Sequence, residues 1–170
     1  IDPGYERLGI AVLEKLPRRK EVLLYSSCTQ TAKTLSHEKR LLAIADAVAK
    51  TIVEWKPDAL AIEKLFLHTN QKTVMPVAEA RGAVLVEAAR ANLKVFEYTP
   101  LQVKIAVTGY GRSEKHQVME MVKKLIALPD KTSLLPKKAV LPLVRENKSS
   151  RLDDEYDAIA VGLTCLASTN

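Results

Sequence analysis

Cysteine is scarce in this 170-residue chain, and its placement is restrictive. Cys28 and Cys165 stand alone, outside any CxxC or Cys/His cluster, so neither a cysteine metal site nor a disulfide framework is encoded. Both read as small buried apolar residues of a protein kept in a reducing cytoplasm. Long apolar runs are lacking too. None reaches the roughly 18 residues that span a bilayer, and no segment joins a basic start to an apolar middle as a secretory signal does. Membrane association is therefore not expected. With no internal repeat or low-complexity tract, residues 1–170 read as one domain, and 47% hydrophobic residues suffice for a single core. One lack concerns the start: a single apolar residue precedes Asp2, fewer than a buried strand supplies, so upstream residues are expected before Ile1.

What is present is positive charge, +6 in total with a pI near 9.3, which fits either a polyanionic partner or a merely basic soluble protein. LGIAVLE from Leu8 and EVLLYSSCT from Glu21 read as strands separated by the turn-prone KLPRRK. A helix follows from about Ser36, a potential N-cap, to Trp55, because apolar residues recur at helical spacing from Leu41 to Ile52. Pro57 ends it, and DALAIE, Asp58 to Glu63, reads as a buried strand. A second helix is expected from Pro76 to Asn92, with the proline in its first turn and Gly82 inside it, where glycine costs about 1 kcal/mol against alanine and so suggests close packing. LKVFEY is a further strand. PLQVKIAV is helical up to the turn TGYGR, a helix capped by Ser113 resumes after it, and a last helix spans about Asp154 to Ala167. The sum is an α/β sandwich whose mixed sheet begins as a meander and continues by crossovers. Residues 128–151 hold Pro129, Pro136 and Pro142, and six basic residues against Asp130 and Glu146; they read as a long basic surface loop.

Four acids stand where strands or helices end or begin: Asp2 in IDPGYERLG, Glu63 closing DALAIE, and Asp154 and Asp157 in DDEYDA. Each also has a plain explanation. Asp2 can start a turn before Pro3-Gly4, Glu63 can be a polar residue at a strand exit, and Asp153, Asp154 and Glu155 can offset a helix dipole. Asp157 lies a turn further in, three residues after Asp154 and on the same helical face. Gathered together, four carboxylates repel unless cations hold them, and hard oxygen donors suit Mg²⁺ or Mn²⁺.

IDPGYERLG, AIEKLF, EARGAVL, YTPLQVKIAVTGYGRSEKHQV and DEYDAIAVGL resemble, in order and spacing, the RuvC family of Holliday-junction resolvases. The resemblance covers nearly the whole chain. It implies an RNase H-like fold with a mixed five-stranded sheet flanked by helices, a homodimer, a DNA four-way junction as substrate and a branch-migration complex as partner. It implies that Asp2, Glu63, Asp154 and Asp157 form a catalytic site for two Mg²⁺ ions, with Mn²⁺ as a possible substitute. Two ions about 3.5–4 Å apart activate a water and stabilise the leaving oxygen of an in-line displacement. Hydrolysis would then leave a 5′-phosphate and a 3′-hydroxyl.

The same resemblance assigns DNA contacts to Phe66, Asn70, Lys72, Lys104, Arg112 and Lys115. Phe66 matches a base-stacking phenylalanine, although a core aromatic at a strand end accounts for it equally well. Lys104, Arg112 and Lys115 flank the TGYGR turn, where the alternative is a solvated basic face. Lys115 could also assist at the scissile phosphate. His68 and His116 invite a general-base role, but a metal-activated water is the expected nucleophile. Three departures stand out: Thr69 replaces the basic residue the family often has before the asparagine, Pro76 sits in the second helix, and the 128–151 loop is longer than usual. Three rival readings differ in what they require. An actin-like ATPase or sugar kinase needs a second similar domain, for which there is no room. A non-catalytic junction-binding module predicts a damaged acidic set, and an RNase H-like nuclease acting on another nucleic acid predicts a different substrate.

Overall fold

Alternating apolar residues make the first third of the chain a hairpin. β1 (Arg7–Glu14) and β2 (Val22–Thr31) pair antiparallel from Arg7↔Gln30 to Glu14↔Val22. This architecture is drawn from a computed structural model that describes residues 1–65, 71–129, 144–145 and 151–169. Between Val12↔Tyr25 and Leu13↔Leu23 the register slips by one residue. The bulge keeps Leu23 on the face of Leu13 while Tyr25 stays on that of Val12, so both faces remain apolar.

Those faces carry two cores. Leu8, Ile10 and Val12 pack with Tyr25 against α1 (His37–Trp55) and α2 (Gln71–Arg90), through Ile44, Val48, Ala80 and Val84. Ala11, Leu13 and Leu23 pack on the opposite side against α5 (Asp153–Ser168), whose Ile159, Ala160 and Val161 are fully buried. The same second core takes in Val103 and Val107 of α3 (Pro100–Thr108) and Val118 and Val122 of α4 (Lys115–Leu125). β3 (Ala59–Glu63) and β4 (Lys94–Tyr98) pair in parallel, as strands joined by a helical crossover must.

The expected single five-stranded sheet is not what forms. The strands divide into an antiparallel set ordered β1-β2-β5, with β5 only Val144–Arg145, and the parallel pair β3-β4. Among the described residues, no ladder joins β1 to β3. Asp2 makes one antiparallel bridge to Gly9, and Ile1 spans to β3 by donating to the Ala61 carbonyl at 2.7 Å and accepting from the Glu63 N–H at 3.3 Å. A cleft of about 490 Å³ is lined by Val12, Trp55, Leu60 and Phe96.

Five other expectations change. α2 begins at Gln71, so Pro76 lies inside the helix and not in its first turn, removing an N–H from its ladder. Gly82 is not explained by close packing within the chain, because a Cβ there would meet nothing within 4 Å. α4 is capped by Glu114, whose N–H donates to Gln117 Oε1 at 2.8 Å, while the Ser113 hydroxyl turns inward to the Tyr110 carbonyl and Thr108. Ser36 stands at the N-cap of α1, but its hydroxyl bonds to Glu38 and caps no backbone group. Of the expected basic loop, Val144 and Arg145 pair with Thr31 and Gln30, so it is not loop throughout; residues 130–143 and 146–150 lie outside the described residues.

Candidate active site

Strand parity aims the acids. Glu63 follows Ala61 by two residues on β3, and Ala61 faces the second core, so the Glu63 side chain leaves the sheet on the side of α5. Asp2 is bridged to Gly9, whose face is likewise the α5 face. The first turn of α5 settles on that spot because Gly9 has no side chain: a Cβ there would stand 2.0 Å from the Asp154 carbonyl oxygen and 2.7 Å from its carbon. Asp154 and Asp157 are thereby carried over the ends of β1 and β3. A glycine inside a strand is the sequence signal for such an approach.

The electrostatics record the convergence. Burial, then repulsion from Asp157, Glu63 and Asp154, pushes the Asp2 carboxyl up to about 7. Burial and the charge of Asp157 push Glu63 up to about 7 as well, with Lys104 and Lys115 pulling the other way. Asp157 is also raised, by burial first, and the hydrogen bond from Lys115 opposes the rise. Asp2 thus lies within reach of the charges of Glu63, Asp154 and Asp157.

Cations from the chain already answer part of that charge. Lys115 Nζ lies 2.9 Å from Asp157 Oδ2 and 3.7 Å from Asp153 Oδ2, and Arg7 Nε lies 3.4 Å from Asp154 Oδ2. Desolvation works against the Lys115 ammonium, but its bond to Asp157 prevails and raises its pKa. Among the described residues, no three His, Cys, Asp or Glu side chains are drawn close enough to hold a metal ion as they stand. The donor set nonetheless fits hard divalent cations. Its members are all carboxylates and half-buried, and desolvation followed by mutual repulsion keeps Asp2 and Glu63 from full ionisation near neutrality without added positive charge.

The predicted DNA-contacting residues divide. Lys104 and Lys115 border the carboxylates, and Arg112 is exposed on the turn between α3 and α4. That turn is rigid: the Tyr110 carbonyl accepts from Ser113 N–H at 3.2 Å, Ser113 Oγ at 2.7 Å and Thr108 Oγ1 at 3.0 Å. His116 pairs with Glu114 at 3.3 Å. Phe66, His68, Thr69, Asn70 and the side chain of Lys72 lie outside the described residues. Sequence reasoning missed Arg7, Gly9, Ser26 and Cys28, whose Sγ lies 3.8 Å from Asp154 Oδ2.

Comparison with known proteins identifies the family. The family described as "Crossover junction endodeoxyribonuclease RuvC" matches residues 1–143. A protein of that name from Thermosipho melanesiensis is 41% identical over 98% of this chain and 94% of its own length. Another, from Alkaliphilus oremlandii, is 40% identical over 99% of this chain and 91% of its own. Among solved structures, T. thermophilus RuvC in complex with Holliday junction substrate superimposes with a TM-score of 0.78 at 29% identity, over 96% of this chain and 88% of that one.

Proposed function

The chain belongs to the RuvC family of crossover junction endodeoxyribonucleases, and from that premise we propose that it resolves Holliday junctions by paired, symmetric nicks, as a homodimer, in recombination and repair. The observation that carries this reading is the convergence of Asp2, Glu63, Asp154 and Asp157 on the α5 face of the sheets, with Asp2 and Glu63 both pushed up to about 7. Carboxylates strained in this way are poised to take up cations, and they would hold two divalent ions, Mg²⁺ or in its place Mn²⁺. Ions bound there supply the charge that activates a water and stabilises the departing 3′ oxygen, leaving a 5′-phosphate and a 3′-hydroxyl.

The chain's own residues do the rest. Lys115 and Lys104 present positive charge beside the acids, where a scissile phosphate would be drawn in and oriented. Arg112, on the exposed turn, reaches the same DNA backbone, and Phe66, Asn70 and Lys72 are further DNA contacts on this reading. Two copies related by a two-fold axis would set one acidic site on each cut strand of a two-fold symmetric junction. A branch-migration complex is the expected partner in the cytoplasm. No helix among the described residues is long and apolar enough to cross a membrane.

The test compares a mobile four-way junction, a linear duplex and an RNA–DNA hybrid, each with and without Mg²⁺. Paired nicks confined to the junction and dependent on the cation are expected. Glu63→Gln should abolish cleavage and leave junction binding intact. Preferential cutting of the hybrid would replace this reading with that of an RNase H-like nuclease of different substrate.

A further inference from the structure

One acid in the first turn of α5 behaves unlike its neighbours. Glu155 has none of its surface exposed, whereas Asp153 is exposed and Asp154 and Asp157 are half-buried. A helix dipole does not account for it, since the dipole's benefit is small beside the cost of desolvating a carboxylate, and Asp153 and Asp154 already serve the dipole. A buried carboxylate persists where hydrogen bonds answer both oxygens. Here Ser26 Oγ of β2 donates to Oε2 at 2.9 Å, and the Leu152 N–H donates to Oε1 at 3.2 Å. Ser26 Oγ in turn accepts from Arg151 Nε at 3.1 Å, and Arg151 Nη2 donates to the Pro129 carbonyl at 2.6 Å. The network ties together β2, the approach to α5, its first turn and the segment that follows α4.

We propose that Glu155 is a positioning residue for the metal site: by pinning the first turn of α5 to Ser26 of β2, it fixes where Asp154 and Asp157 stand relative to Asp2 and Glu63. It is no ligand itself. The register explains how it acts. Ser26 pairs with Ala11 and Cys28 with Gly9, so the Ser26–Glu155 bond and the Gly9–Asp154 contact sit two residues apart on one face of the β1–β2 hairpin. One sets the height of the helix start above the sheet, and the other sets its rotation. Asp154 forms one anchor and adjoins the other, and Asp157 is one turn beyond, so a loosened Glu155 would move both carboxylates together.

This inference rests on the four-carboxylate reading of the site, and its test separates the two. Metal-free protein is titrated with Mn²⁺ by calorimetry, well below its melting temperature, for the wild type, Asp154→Asn, Glu155→Ala, Glu155→Gln and Ser26→Ala. Supporting groups of this kind change metal affinity by about 10- to 100-fold. Glu155→Ala is expected to weaken Mn²⁺ binding by about that factor and Ser26→Ala by about 10-fold. Glu155→Gln, which keeps the oxygen for the Leu152 N–H, should recover most of the affinity. Junction cleavage should fall in the same order while junction binding in EDTA is unchanged. If Glu155→Ala does not fold, Ser26→Ala and Glu155→Gln carry the comparison. Folded variants that melt earlier yet bind Mn²⁺ as the wild type does would make Glu155 a structural acid only and overturn the proposal. If Asp154→Asn also binds as the wild type does, the site reading itself fails and takes this proposal with it.

Discussion

The carbonyl oxygen of Asp154 lies 2.0 Å from where a Cβ on Gly9 would stand, so the helix that carries two of the four acids rests directly on the strand bridged to a third. Neither group is the free end of a flexible side chain, and neither can give way without moving an element. Gly9→Ala should therefore lift the start of α5 from β1. Overpacking of this kind costs about 1–3 kcal/mol. Cleavage should suffer more than stability, because Asp154 and Asp157 shift away from Asp2 and Glu63. Thermal melting beside single-turnover cleavage of a four-way junction checks this. A variant that melts lower but cuts at the wild-type rate would show that the site tolerates the displacement.

Much of this was legible beforehand. The hairpin, α1, α3 and the last helix follow from apolar periodicity, because each presents one consistent face to a core. Glu63 was legible as the polar end of an apolar run. The division into two sheets was not, since apolar runs show which segments become strands but not which strands pair. Nor was the fate of Ser113, which has the chemistry of an N-cap but is claimed by Thr108 and the Tyr110 carbonyl. Side chains whose role is set by a long-range partner, such as Ser26 with Glu155 across 129 positions, leave no local pattern to read.

The raised carboxyl groups make metal-free stability depend on pH in a definite direction. Asp2 and Glu63 hold their protons to about 7 when folded, against about 4 when unfolded. Between those values the folded chain binds more protons, so stability is highest at the acid end, falls as pH rises through the window and stays low above it. Divalent cations relieve the same repulsion only where the carboxylates are ionised. In EDTA the melting temperature should fall from pH 5 to pH 8, after allowance for the rest of the protein by Asp2→Asn as reference. Added Mg²⁺ should raise it more at pH 8 than at pH 5. Equal Mg²⁺ shifts at both pH values would break the link between these groups and cation binding.

Lys115 is the chain's own cation at the site, 2.9 Å from Asp157 and a source of downward pull on Glu63. Its removal should have two separable effects. Lys115→Gln should slow junction cleavage by about 100-fold, the scale on which a lost charge-stabilising donor acts. It should also move the acid limb of the pH–rate profile upward, because Asp157 and Glu63 lose a group that favours their ionised forms. A slower enzyme with an unmoved acid limb would assign Lys115 to the phosphate alone.

No contact among the described residues explains Gly82. It lies on α2 between Met75 and Val86, which are 66% and 50% exposed, and spacings of seven and four place the three on one stripe. A Cβ at Gly82 meets nothing within 4 Å, so the missing side chain is no accommodation to this chain's own core. In the proposed homodimer, the same stripe on a second copy would approach closely enough to need it. Gly82→Leu distinguishes the cases because its two effects oppose each other. Within one protomer it replaces glycine by a better helix former, worth up to about 1 kcal/mol, and no clash resists it. Across a dimer it forces two backbones apart. Sedimentation should show the wild type as a dimer and Gly82→Leu shifted toward monomer, with helicity retained. On a junction the variant should leave single nicks where the wild type makes paired ones. A Gly82→Leu protein that stays dimeric and makes paired nicks would remove α2 from the interface.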